Sequence, residues 1–114
     1  MIKIYHNPRC GTSRSALQAI ESSGQPVEII EYLKTPPVGD ELRALIRAAG
    51  LTVREAMRAK EPVYQDLGLD APALSDEQLL AAIEQHPVLL NRPFVVTEKG
   101  TRLCRPLERI QEIL

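Results

Sequence analysis

Tryptophan is absent from these 114 residues, and only three tyrosines and one phenylalanine supply aromatic rings. That argues against a surface that stacks nucleic-acid bases. No charge of one sign dominates: 14 Lys and Arg stand against 15 Asp and Glu, a net charge of −1. Neither nucleic acid nor a membrane surface is therefore the expected partner. No apolar run approaches the ~20 residues that cross a bilayer, and the first residues lack the charged-then-apolar pattern of a secretory leader. Cysteine occurs only twice, at 10 and 104, which makes no disulfide framework. No His and Cys cluster has metal-ligand spacing, so no metal is expected. The expectation is a cytoplasmic protein. What is present, 44% apolar and 25% charged residues, is ordinary for one globular domain.

The order of elements carries more information. Met1–Tyr5 has the Ile and Tyr of a short strand, and Ser15–Glu21 puts Leu17 and Ile20 on one side of a helix. Gly24 is a candidate left-handed cap for that helix. Val27–Ile30 reads as a second strand, so the start of the chain is a parallel βαβ unit. From Pro37 to His86 the pattern is helical. Asp40 is the expected N-cap of a helix carrying Leu42, Leu45 and Ile46. Thr52–Glu55 and Ser75–Gln78 both have the form of a capping box. Phe94–Thr97, a turn at Glu98–Gly100 and Thr101–Cys104 suggest an antiparallel hairpin, and Pro106 can open a last helix. The reading is α/β, one domain over 1–114 with a helical insertion at about 37–86.

The stretch His6-Asn7-Pro8-Arg9-Cys10-Gly11-Thr12-Ser13-Arg14 lies between the first strand and the first helix. Cys10 then stands where backbone N–H groups point outward with partial positive charge. Such a position favours a thiolate and can also hold an oxyanion. The plainer alternative is a small buried hydrophobe; the loop position, a nearby His and two flanking arginines favour the nucleophile. Arg14, a cation in the first helical turn, signals either an anion nearby or a solvated surface arginine. Cys104, within a strand, reads as structural, and His86 before Pro87 reads as a helix-end residue.

The element order, with a Cys at the head of the first helix, resembles the thioredoxin-like fold: a mixed sheet with an inserted helical subdomain. The motifs HNPRCGTSR, EYLKTPP, VREAMR, EPVYQDLGL, HPVLLNRPFVV and GTRLCRP occur in order along essentially the whole chain. Together they are similar to the glutaredoxin-linked arsenate reductases of the ArsC type, which function in arsenical resistance. That resemblance implies that Cys10 attacks arsenate, and that Arg58, Arg92 and Arg105 bind the oxyanion. It also implies that His6 helps depress the cysteine pKa, that Ser13 lies near the thiolate, and that Pro93 is a cis-proline. No cofactor is bound in the family; glutathione is the co-substrate and glutaredoxin resolves the mixed disulfide. The family's helical end runs further than this chain, which reads as trimming of a tail.

Arginine suits the implied role, because its planar fork stays protonated and matches the oxygens of a tetrahedral anion. For Arg58, Arg92 and Arg105 alike, the alternative is a surface ion pair, and the neighbours Arg54 and Lys60 leave the choice of Arg58 open. Residues 11–13 contain no second Cys, so an internal CxxC disulfide is excluded and an external thiol must supply electrons. Two other functions compete. One is a glutathione-dependent thiol oxidoreductase acting on another substrate, since fold does not fix chemistry. The other is a Spx-type transcriptional regulator that binds RNA polymerase, many of which carry the CxxC this chain lacks. A low-molecular-weight phosphatase loop spaces its cysteine and arginine more widely than Cys10 and Arg14.

Overall fold

The computed structural model describes all residues from Met1 to Leu114. They form two compact units, one of Met1–Thr35 with Arg92–Leu114 and one of Pro36–Asn91.

In the first unit, β1 (Ile2–His6), α1 (Gly11–Ser22) and β2 (Val27–Glu31) follow one another, and β3 (Phe94–Thr97) and β4 (Gly100–Leu103) return as a hairpin. The sheet order is β2-β1-β3-β4. β1 runs parallel to β2, with Ile4 opposite Ile29, and antiparallel to β3, with Ile4 opposite Val95. β4 closes the hairpin with Leu103 opposite Phe94. This is the mixed sheet of the thioredoxin-like fold.

Strand alternation puts Ile2, Ile4 and Val95 in one core with Ala16 and Ile20 of α1. Ile110 and Ile113 join that core. Ile110 belongs to a 3₁₀ segment at Leu107–Glu112, where the sequence suggests an α-helix, and Ile113 is the residue that ends it. Ile110 is buried and Leu107 and Leu114 pack half-buried against the core, but these six residues wind tighter than α. α1 starts at Gly11 with Cys10 as its N-cap residue, four positions before the first residue of the expected helix. It ends where Gly24, at φ +77°, takes the left-handed conformation that stops a helix.

The second unit contains α2 (Gly39–Ala48), α3 (Pro62–Asp66) and α4 (Asp76–Gln85). It extends from 36 to 91, past the edges of the expected insertion. Gly39 precedes Asp40, so Asp40 lies inside the first turn of α2 and Val38 is the N-cap residue. Asp40 still meets the positive end of the helix from there. The Ser75 box is complete: Gln78 N–H donates to Ser75 Oγ at 3.2 Å, and Ser75 N–H donates to Gln78 Oε1 at 2.9 Å. Thr52 and Glu55 exchange the same two bonds at 2.9 and 3.1 Å, yet only a 3₁₀ turn, Arg54–Ala56, follows them. No helix of the protein is long and apolar enough to cross a membrane.

Candidate active site

Cys10 is delivered by the loop between β1 and α1. Its backbone is extended (φ −93°, ψ 121°) and the helix begins at the next residue. The loop is closed locally: Cys10 N–H donates to Asn7 O at 3.0 Å, and Arg14 N–H donates to Cys10 O at 3.0 Å. Cys10 as a residue is 8% exposed.

Two arginines from the far end of the same unit converge on it. Arg105 Nη2 lies 3.6 Å from Cys10 Sγ, and Arg105 Nε donates to Arg92 O at 3.3 Å. Arg92, only 9% exposed, also hydrogen-bonds the sulfur. Both arginines precede proline through a cis peptide bond, Arg92–Pro93 and Arg105–Pro106; nothing in the sequence signals the second.

Five forces set the Cys10 pKa. Burial, the largest, pushes the thiol up. The backbone N–H of Ser13 and the guanidinium groups of Arg92 and Arg105 pull it down by hydrogen bonds, and the Arg92 charge adds to them. The pull wins, and the pKa falls from 9.0 to about 7. A large share of Cys10 is therefore thiolate at neutral pH, facing donors that can hold an anion's oxygens.

His6 and Ser13 form the support behind the loop. Ser13 is fully buried; its Oγ lies 2.7 Å from His6 Nδ1 and accepts from Asn7 N–H at 3.0 Å. Burial lowers the His6 pKa, against the pull of Glu31, and so favours the neutral ring. In this geometry His6 reaches the site through Ser13, whose backbone N–H hydrogen-bonds Cys10.

Asn7 escapes the sequence reading. It is buried, its Oδ1 accepts from Arg9 N–H at 2.9 Å, and its Nδ2 donates to Tyr32 OH at 3.4 Å. The signal was available: an Asn bonding the backbone two residues on is a common way to fix a turn. Arg14 is an exposed surface arginine, one of the two expectations, and its Nη1 also donates to Pro8 O at 2.9 Å and braces the loop.

Arg58 stands in the second unit, where its Nε pairs with Glu61 Oε1 at 3.2 Å and its N–H donates to Leu89 O at 2.7 Å. Arg54, its rival, spends its guanidinium on structure: Tyr64 OH at 3.0 Å, Leu69 O at 2.6 Å and Ala71 O at 3.0 Å. Cys104 is wholly buried in the first unit's core, and burial pushes its thiol up to about 11. His86 terminates α4.

Known proteins are similar to this chain in sequence and in structure. The arsenate reductase of Rhizobium meliloti (strain 1021) is 55% identical over 113 residues, covering 99% of this chain and 81% of that protein. The arsenate reductase of Escherichia coli (strain K12) is 51% identical over 113 residues, covering 99% of this chain and 80% of that protein. The solved structure of an arsenate reductase from Vibrio cholerae matches with a TM-score of 0.94 at 44% identity, covering 99% of this chain and 97% of that one. The model of the ArsC family matches residues 5–113, and with relatives this similar across nearly its full length the chain belongs to the ArsC family.

Proposed function

We propose that this protein reduces arsenate to arsenite through a covalent adduct on Cys10, with glutathione as the electron donor. The observation that carries the reading is a cysteine with a pKa near 7 hydrogen-bonded by two arginine side chains. A nucleophile and a binding site for a tetrahedral oxyanion then occupy the same few ångströms. The names of the relatives support arsenate as that oxyanion.

The chemistry balances in two steps. Cys10 sulfur attacks arsenic in H₂AsO₄⁻; the thiol proton leaves with one arsenate oxygen as water, giving Cys10–S–AsO₃H⁻. Arg92 and Arg105 neutralise the charge on the remaining oxygens, and their positions need no reorganisation as the bond forms. The sulfur of glutathione then attacks Cys10 sulfur and the S–As bond breaks. Its electron pair stays on arsenic, which falls from As(V) to As(III) and leaves as H₂AsO₃⁻ with the glutathione proton. A Cys10–glutathione mixed disulfide remains, and glutaredoxin with further glutathione returns Cys10 to thiolate. Cys104 is a poor resolving thiol in this scheme, because it is buried and held protonated.

The family resemblance adds Arg58 as a third arsenate-binding arginine, and the use of Arg54 as a structural brace favours Arg58 over its neighbour. His6 and Ser13 act as positioning residues for the nucleophile. A cytoplasmic location goes with this chemistry, because thiols there are kept reduced.

The test is arsenate-dependent NADPH oxidation with glutathione, glutaredoxin and glutathione reductase present. The wild-type protein should drive it and Cys10→Ser should not. Absence of turnover in the wild type, or substantial turnover in Cys10→Ser, would overturn the proposal.

A further inference from the structure

Beside the nucleophile loop is a cavity of about 390 Å³ lined by residues 6–9, Glu31, Leu33 and Lys34. Its size is within the range of small-molecule sites. One wall is the stretch that ends one residue before Cys10. The other is the turn that leaves β2, held by Lys34 N–H and Thr35 N–H donating to Glu31 O at 2.9 and 3.0 Å. Asn7 ties the walls together, fixing Arg9 through its Oδ1 and reaching Tyr32 OH through its Nδ2. The cavity is therefore built in advance of any ligand, which lowers the ordering cost of binding.

Its charges form a pattern. Arg9 and Lys34 supply two cations and Glu31 one carboxylate, while Pro8 and the 42%-exposed side chain of Leu33 supply apolar surface. The Lys34–Glu31 contact, at 3.7 Å between exposed groups, costs little to open. Arsenate does not use such a pattern: it carries no cation for Glu31 and nothing apolar for Leu33. A thiol peptide of the glutathione kind does. It has two carboxylates, one ammonium and methylene segments between them, each with a counterpart here.

We propose that this cavity is the subsite for the reducing thiol peptide, with Arg9 and Lys34 holding its two carboxylates and Glu31 its ammonium group. The inference rests on the reading of Cys10 as a nucleophile whose sulfur is resolved by glutathione, and it gives that reading a place for the second substrate. The arginine pair grips the oxyanion at Cys10, and the cavity holds the donor along the loop that leads to it.

Binding is measured without turnover, so the two claims fail separately. S-Methylglutathione, which cannot react, is titrated into the Cys10→Ser protein and followed by amide shifts. The shifts should centre on Asn7, Arg9, Leu33 and Lys34, and Arg9→Ala/Lys34→Ala should raise Kd at least about tenfold. The diethyl ester, which lacks both carboxylates, should bind the parent as weakly as the peptide binds that double variant. Shifts centred elsewhere, an unchanged Kd in the double variant, or equal competition by inorganic phosphate (a simple anion site) would each overturn the subsite. Loss of arsenate turnover with binding intact would leave the subsite and remove arsenate as its partner substrate.

Discussion

Arg105 Nη2 stands 3.6 Å from Cys10 Sγ although 95 positions separate the two residues in the chain. The contact exists because β1 and β3 are neighbours in the sheet and β4 returns alongside β3, which brings the segment after β4 back to the loop after β1. On the proposed function one side chain does two things: it hydrogen-bonds the Cys10 sulfur before reaction and would face the arsenate oxygens during it. Arg105→Ala should lower arsenate turnover about a hundredfold, the usual cost of one oxyanion donor, and should raise the Cys10 pKa. Arg105→Lys should keep more of the pKa effect than of the turnover, because it keeps the charge and loses the planar fork. Turnover and thiol titration on both variants check this.

Ser13 Oγ serves two buried groups at once, Asn7 N–H and His6 Nδ1. Ser13→Ala leaves both without that partner in a site closed to water. The expected cost is about 1–3 kcal/mol of folding stability, read from urea denaturation, together with a rise in the Cys10 pKa as the loop loosens. Ser13→Thr, which restores the hydroxyl, should recover part of the pKa effect even if its extra methyl strains the core.

Arg54 and Arg58 should separate cleanly. Arg54→Ala removes the donor to two backbone carbonyls and to Tyr64 OH, and it should lower Tm markedly. Arg58→Ala removes a partly exposed ion pair with Glu61, which is worth little to stability. It should instead raise the KM for arsenate. Thermal melts and steady-state kinetics on the two variants test the assignment; a stability loss in Arg58→Ala with unchanged kinetics would reverse it.

The two cysteines should bend the stability curve in opposite directions. Cys10 titrates near 7 when folded and near 9.0 when unfolded. Between those values the unfolded chain holds the extra proton, so stability rises with pH; the gain is complete above 9 and is lost as pH falls through 7. Cys104 titrates near 11 when folded. Between 9 and 11 the folded chain holds the extra proton, so stability falls as pH rises. Denaturation curves from pH 6 to 11 for the wild type, Cys10→Ser and Cys104→Ala check each slope, since each variant should lose only its own.

The sheet was legible because its signals are local. A β-branched run bounded by Pro93 and Gly100 gave β3 at its observed limits, and the pattern before and after α1 gave a βαβ unit. Helix starts were harder. Gly11–Arg14 carry no apolar periodicity, and Cys10 makes no side-chain cap bond, so α1 began earlier than its pattern showed. Capping boxes were reliable as hydrogen bonds and not as helices: Thr52 and Glu55 form one ahead of a single turn. In the site, the place of Cys10 could be read from its loop, because position at a helix start is a local property. The meeting of Arg92 and Arg105 at Cys10 could not, because no spacing in the chain encodes it; only the resemblance named those two residues. Asn7 had a local signal in its bond to Arg9 N–H, whereas its bond to Tyr32, 25 positions on, had none.

The most direct test is the ultraviolet titration of thiolate in Cys104→Ala, where Cys10 is the only thiol. A midpoint near 7, moving upward when Arg105 is replaced by Ala, is the expected result. A midpoint at or above the ordinary thiol value of about 8.5, unmoved by Arg105→Ala, would contradict the account.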